Sequence, residues 1–244
     1  MGHYLTALRF LTILPLPAGS RFESGDLGRS TAWFPLAGLT LGALLLLADQ
    51  VLSPLFPRHL TDALLIALLA VLTGALHLDG LADVCDGLAA RGSTERFLAV
   101  MKDSRVGAVG VVGLVTGIGL KYAALLAVSA GMRWQALLLV PALARFSMVL
   151  VMAGAASARH DGLGAAFVAG IGRTQLLLAS FTVLPLCWFI AGPRGMVALL
   201  VVCLWGTAVR GYFSQRLGGI TGDIVGFGGE TAEVACLLCL AAAF

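Results

Sequence analysis

The stretch Leu78-Asp79-Gly80-Leu81-Ala82-Asp83-Val84-Cys85-Asp86-Gly87 places three carboxylates at the end of a long apolar run. Asp79, Asp83 and Asp86 stand at i, i+4 and i+7. On a helix turning roughly 100° per residue they fall within about 60° of one another. Three like charges on one face repel, so on their own they destabilise the helix. A divalent cation removes that repulsion. Carboxylate oxygens with Gly80, Ala82 and Gly87 around them suit Mg²⁺, which favours a few carboxylates plus water and substrate phosphates. The chemistry implied is transfer on a phosphorylated substrate, with Asp79, Asp83 and Asp86 as metal ligands. The bland alternative is a solvated acidic helix end.

A second motif supplies the opposite charge. Met101-Lys102-Asp103-Ser104-Arg105-Val106-Gly107 sets Lys102 and Arg105 beside Asp103, just before an apolar run. A cation pair near a metal-binding face is what a diphosphate needs: the metal bridges oxygens, and Lys and Arg neutralise the rest. The same pair also reads as a positive anchor for the next helix.

A third cluster runs from Leu217 to Glu233, where glycines permit positive φ and close backbone approach, as in anion-binding loops. Asp223, Glu230 and Glu233 flank or enter an otherwise apolar run. Ionisable groups there are expensive and are functional candidates for metal or substrate. Arg145 lies about mid-span and must face the bundle or a wet cavity, with a phosphate or an acid as partner. Lys121 is mid-span too, with room to snorkel beside Tyr122 if the span is displaced, so Arg145 is the stronger candidate. His77, opposite the aspartates on the helix, reads as structural. His160-Asp161-Gly162-Leu163-Gly164 reads as a substrate loop, and Asp49, His59 and Asp62 as ordinary interface residues.

These residues need a scaffold, and composition says which. The chain of 244 residues is 59% hydrophobic and 12% charged, far too apolar for an ordinary soluble domain. Several runs reach the roughly 20 apolar residues that cross a bilayer. The fold class expected is an all-α, polytopic transmembrane helix bundle of about seven spans with short interfacial and cytoplasmic helices. The spans are expected at 31–52, 60–78, 106–129, 134–156, 175–192, 195–213 and 224–244, the last opening on a glycine-rich stretch that suits a broken helix. Residues 3–14 suit an interfacial helix. The whole chain, 1–244, reads as a single integral membrane domain, with 79–105 as a cytoplasmic catalytic loop.

Basic residues give the orientation. Loops on one side carry Arg9, Arg21, Arg29, Arg91, Arg96, Lys102, Arg105, Arg159, Arg173, Arg210 and Arg216; the other side carries Arg58, Arg133 and Arg194. The richer side is expected to be cytoplasmic, and it holds the carboxylate motifs. Basic residues are scattered, so no nucleic-acid partner is expected. The five cysteines lie mostly in apolar runs, as small hydrophobes and not as a disulfide or metal framework. No cleavable signal peptide is read at the N-terminus.

Five motifs occur in order: Phe10-Leu11-Thr12-Ile13-Leu14-Pro15-Leu16-Pro17, Phe34-Pro35-Leu36-Ala37-Gly38, His77-Leu78-Asp79-Gly80-Leu81-Ala82-Asp83, Met101-Lys102-Asp103-Ser104-Arg105-Val106-Gly107 and Gly218-Gly219-Ile220-Thr221-Gly222-Asp223. Together they resemble the adenosylcobinamide-GDP ribazoletransferase (cobalamin 5'-phosphate synthase) family over essentially the whole chain. The departures, near Val109 and Phe227, touch packing and leave the carboxylates intact. The resemblance implies a Mg²⁺-dependent, multi-pass enzyme of the bacterial inner membrane. It implies that a GDP-activated corrinoid is joined to α-ribazole or its 5'-phosphate, with release of GMP, late in cobalamin synthesis.

On that reading Asp83, Asp86 and Asp103 are catalytic, and Lys102, Arg105, Arg145, Asp223, Glu230 and Glu233 bind substrate. The partners expected are these small molecules and the lipid bilayer, with a homo-oligomer left open. Two alternatives come from other classes. A CDP-alcohol phosphotransferase also works through membrane aspartates, but its signature places an Ala-Arg pair after the first Asp-Gly, and here Ala82 precedes Asp83. A transporter would show paired broken helices in two halves, and no convincing repeat is present.

Overall fold

The computed structural model describes residues 2–16, 24–90, 92–159 and 162–242. Arg21, Arg91, His160 and Asp161 lie outside the described residues. The described residues form α-helices in this order: α1 Gly2–Leu11, α2 Ser24–Ser30, α3 Phe34–Leu52, α4 Arg58–Leu72, α5 Leu76–Ala89, α6 Thr94–Val100, α7 Ala108–Ala127, α8 Arg133–Met152, α9 Leu163–Gly170, α10 Arg173–Leu217 and α11 Gly222–Ala241. Among the described residues the only β feature is one isolated parallel bridge, Ser157 to Ile220. The all-α expectation therefore holds.

Among the described residues, five helical segments are long and apolar enough to cross a membrane, and six if the bent pair α4–α5 is one span. The 45-residue α10 is broken at Gly192, whose φ of 55° and ψ of −137° are not helical. On a straight helix Cys187 and Cys203 would be about 24 Å apart; here they lie close enough to interact electrostatically. The chain therefore doubles back at Gly192-Pro193. This matches the separate runs expected at 175–192 and 195–213, and the count is roughly the seven anticipated.

The expected straight span at 60–78 needs correction. α4 stops at Leu72, and α5 leaves it at 91°. Gly74 has φ 59° and Ala75 has φ 56°. Gly74 N–H donates to Val71 O at 2.9 Å and Ala75 N–H to Ala70 O at 2.8 Å. That pair of bonds is a Schellman closure, which caps the last carbonyls of α4 through left-handed backbone. Asp79, Asp83 and Asp86 consequently ride a separate helix packed against α7 and α11, rather than opening a loop.

α8 is the central helix. It packs on α3, α10 and α11, and most of its length is buried. Gly38 and Gly42 on α3 press against the α8 backbone, where a Cβ at Gly42 would stand 2.6 Å from Leu138 O. Small residues four apart let two helices approach closely in lipid. At the end of the bundle remote from the aspartate motif, Arg133 on α8 binds Asp49 at 2.7 Å and Asp62 at 2.6 Å. Those two acids therefore tie α3, α4 and α8 together, a role their sequence context did not reveal.

The last helix also corrects the expectation of a break. α11 is continuous from Gly222 to Ala241. Within the glycine-rich stretch only Gly218 has positive φ. The glycines inside α11 instead make room for neighbours: a Cβ at Gly226 would meet His77 Cα at 3.3 Å, and one at Gly228 would meet Val151 at 2.9 Å.

Candidate active site

α5 and the start of α11 cross at Gly80. A Cβ there would stand 2.7 Å from the carbonyl oxygen of Asp223, so the glycine of the Asp-Gly motif is what admits α11. The crossing brings carboxylates from two helices together. Asp83 feels the negative charges of Asp79, Asp223 and Asp86, in that order of strength. Asp223 is the partner whose position no local pattern gives, because it lies about 140 residues along the chain from Asp83.

The chain entering α11 is fixed from both sides. Thr221 caps the helix, its hydroxyl accepting from Ile224 N–H at 3.3 Å. Ile220 pairs with the segment after α8: Ala158 N–H donates to Ile220 O at 2.8 Å and Ile220 N–H to Ala156 O at 2.9 Å. That pairing delivers Arg159, whose Nη1 bonds Asp223 Oδ2 at 3.0 Å. A second Arg159 nitrogen reaches Leu98 O of α6 at 3.4 Å. Sequence reading counted Arg159 only as an inside-loop cation. Its placement depends on a long-range backbone pairing that has no sequence signature.

Asp86 is engaged elsewhere. Its carboxylate accepts Gly107 N–H at 2.7 Å and Gly110 N–H at 2.8 Å. It therefore caps the N-terminus of α7 from another helix, an arrangement that favours negative charge. The glycine of the Met-Lys-Asp-Ser-Arg-Val-Gly motif is explained here, since a Cβ at Gly107 would stand 2.5 Å from Asp86 Oδ1.

Asp103 and Arg105 are exposed and clasp each other. Arg105 Nε reaches Asp103 Oδ1 at 3.0 Å and Nη2 reaches Oδ2 at 2.7 Å. The Arg105 side chain, then its backbone N–H, hold the Asp103 carboxyl down to about 2. A carboxylate so stabilised is a weak proton acceptor. Lys102 is exposed on the same loop.

Arg145, Glu230 and Glu233 form a different structure. Arg145 Nη1 binds Glu233 Oε1, and Lys121 Nζ binds both Glu230 Oε2 and Glu233 Oε2, each at 2.5 Å. All four residues are 5% exposed or less. Two cations and two anions balance inside the bundle, joining α7, α8 and α11. Glu230 lies about 10 Å along α11 from Asp223 at 1.5 Å per residue. The structure thus brings Asp223 to the α5 aspartates, while Arg145, Glu230 and Glu233 are paired deeper in the bundle, where Arg145, Glu233 and Lys121 act on His77 through their charges. The snorkelling reading of Lys121 is corrected: it is buried and holds two acids at once.

Among the described residues no group of three or more His, Cys, Asp or Glu side chains is gathered tightly enough to hold a metal by itself. Mg²⁺ does not require such a cage, since it keeps waters and is held by one or two carboxylates plus substrate phosphates. The hard, mutually repelling oxygens of Asp79, Asp83 and Asp223 fit that demand. Asp79 and Asp223 also line a cavity of about 190 Å³. His77 lines it too, correcting the picture of a residue turned away from the site. Its buried Nδ1 has no hydrogen-bond partner, a signal that sequence does not carry.

Residues 3–241 match the family described as Cobalamin-5-phosphate synthase. Adenosylcobinamide-GDP ribazoletransferase of Geotalea daltonii is 52% identical over 239 residues, covering 98% of this chain and 96% of the relative. The enzymes of the same name from Stutzerimonas stutzeri and Thermoanaerobacter sp. are 41% and 34% identical. They cover 97% and 96% of this chain, and 96% and 94% of their own lengths. No solved structure matches the chain. With its carboxylate helix crossing and a match running through nearly every residue, this chain belongs to the cobalamin-5-phosphate synthase family.

Proposed function

We propose that this protein joins a GDP-activated corrinoid, adenosylcobinamide-GDP, to α-ribazole or its 5'-phosphate and releases GMP, in a late step of cobalamin synthesis. The names of its relatives support the reaction. The observation that carries the site is the convergence of Asp79 and Asp83 on α5 with Asp223 on α11 around Gly80.

A ribose hydroxyl of ribazole attacks the phosphorus that bears cobinamide. One P–O bond forms to ribose, and the P–O bond to GMP breaks. Asp79 and Asp223 would hold Mg²⁺, which would supply charge neutralisation along the diphosphate. Asp83 takes the hydroxyl proton, which relieves the repulsion among the three carboxylates. Arg159, already at Asp223, offers its guanidinium to the phosphate oxygens, and Lys102 and Arg105 at the rim attract the anionic nucleotide. Asp86 keeps α5 and α7 in register. Transfer of this kind is driven by positioning and charge stabilisation.

The basic loops support a bacterial inner-membrane location with the carboxylates facing the cytoplasm. Purified protein given adenosylcobinamide-GDP, α-ribazole and Mg²⁺ is expected to yield GMP and adenosylcobalamin in equal amounts. Absence of GMP under these conditions overturns the reading. In whole cells, a membrane-impermeant thiol reagent is expected to label a cysteine placed at Arg194 and not one at Ser93; the reverse pattern inverts the orientation.

A further inference from the structure

The cavity beside the carboxylates has a chemical character that the phosphate chemistry does not use. Its walls carry Phe10, Phe34, Phe167, Met148 and Met152. The three phenylalanines form one aromatic cluster, with Phe10 and Phe167 ring centroids 4.3 Å apart and Phe34 and Phe167 5.6 Å apart. They come from α1, α3 and α9, so two of the sequence motifs without a catalytic role, those at Phe10 and Phe34, meet here. Against this apolar lining stand Asp79, Asp223 and His77. His77 is 4% exposed, and its Nδ1 lacks a partner. A buried polar atom left unpaired costs free energy comparable to a lost hydrogen bond, and a ligand that supplies the missing partner recovers it.

We infer that this cavity is the subsite for the base of the attacking nucleoside, with the Phe10–Phe34–Phe167 cluster and the two methionines receiving a flat apolar bicycle and His77 Nδ1–H donating to its unsubstituted ring nitrogen. The inference rests on the ribazole-transfer reading. The base of α-ribazole is a methylated benzimidazole, whose only free ring heteroatom is one acceptor nitrogen. Guanine, the base of the other substrate, presents donors and acceptors on several edges. One orphan nitrogen among aromatic and thioether groups satisfies the first and leaves the second largely unpaired. Methionine and phenylalanine also adapt well to a flat ring system. A base seated there puts its attached ribose next to Asp79 and Asp223, which line the same cavity. The nucleophilic hydroxyl is thereby held at the carboxylates.

The test uses the purified protein, its His77→Leu, His77→Gln and Phe167→Ala variants, and a ribosyl-indole that carries the same ring methyl groups as α-ribazole, so that only the acceptor nitrogen becomes C–H. Equilibrium dialysis measures α-ribazole binding with no corrinoid present; steady-state assays give KM for each substrate. His77→Leu is expected to weaken ribazole binding and raise its KM about tenfold or more, with KM for adenosylcobinamide-GDP unchanged. His77→Gln, which keeps a donor, recovers part of the loss, and Phe167→Ala weakens both nucleosides alike. Wild-type protein is expected to bind ribosyl-indole about as weakly as His77→Leu binds ribazole. Equal binding of ribazole and ribosyl-indole by wild-type protein overturns the inference without any variant needing to fold. So does a KM effect confined to the corrinoid substrate. If no GMP forms with any nucleoside, the reaction itself is wrong, and the dialysis still decides the subsite.

Discussion

Asp86 on α5 accepts the backbone N–H of Gly107, 21 positions further along the chain, at 2.7 Å. A helix N-terminus presents unpaired N–H groups and a partial positive charge. Here an aspartate from a neighbouring helix answers both. The carboxylate that sequence places with Asp79 and Asp83 therefore acts as a joint between α5 and α7, and that joint sets the angle at which the other two aspartates are presented.

Asp86→Asn replaces one accepting oxygen with an amide that repels an N–H. The variant is expected to lose about 1–2 kcal/mol of stability. A thermal melt in detergent at or above the wild-type temperature would count against the capping role.

Asp83→Asn should do the opposite. It removes a charge that Asp79, Asp223 and Asp86 all repel, so the melting temperature is expected to hold or rise. Turnover is expected to fall at least about a hundredfold, because the proposed base beside Asp79 and Asp223 is lost. Chelation of Mg²⁺ should abolish wild-type turnover and leave the fold intact. Near-normal turnover of Asp83→Asn in a protein that folds removes this residue from the chemistry.

Gly80→Ala puts a Cβ 2.7 Å from Asp223 O, a backbone atom that cannot swing away. α5 and α11 must part by a fraction of an ångström, at a cost of about 1–3 kcal/mol. Turnover is expected to fall further than stability, since the crossing aligns the carboxylates. A variant with normal kinetics shows that the crossing tolerates movement.

Lys121→Met leaves Glu230 and Glu233 buried with one cation between them, and a loss of about 3–5 kcal/mol is expected. Lys121→Met combined with Glu230→Gln restores the balance of charge and should recover part of that loss in a double-mutant cycle. Arg145→Lys is expected to lower the melting temperature while leaving KM for adenosylcobinamide-GDP unchanged in the folded fraction. A raised KM with an unchanged melt would return Arg145 to the substrate.

Arg105 holds Asp103 at about 2, below the usual carboxylate value near ~3.9. A depressed value means the pairing contributes fully above the usual range and is lost as pH falls through about 2. Both side chains are exposed, so the contribution to stability is small. Arg105→Ala should bring the Asp103 titration back toward the ordinary range, measured by carbon-13 NMR of aspartate-labelled protein. An unmoved titration breaks the assignment.

Sequence reveals what is local or chemically costly. The i, i+4, i+7 spacing marked Asp79, Asp83 and Asp86, and the gap between the apolar runs at 175–192 and 195–213 marked the turn inside α10. The bend at Gly74–Ala75 escaped because hydropathy runs through it unbroken and a left-handed alanine has no signature. The partnership of Lys121 with Glu230 and Glu233 escaped because it joins positions 109 and 112 residues apart. Glycine content misled at α11, where the same residue type that frees a loop also flattens a helix for close packing. Asp223 was flagged as a costly ion, but its neighbours were invisible until α5 and α11 were seen to cross.

The turn at Gly192 has a further consequence for how the molecule is threaded. Gly164 in α9, the helix before α10, faces the backbone of Gly222, the first residue of α11 after it: a Cβ on Gly164 would stand 2.7 Å from Gly222 N. The 45 residues of α10 are thus a closed detour that departs from the corner where the carboxylates meet and comes home to it. The far tip of the detour, at Gly192, has open space around it. Length added at that tip changes neither where the detour begins nor where it ends. A reporter peptide inserted there marks the opposite face of the bilayer while the carboxylates keep their places.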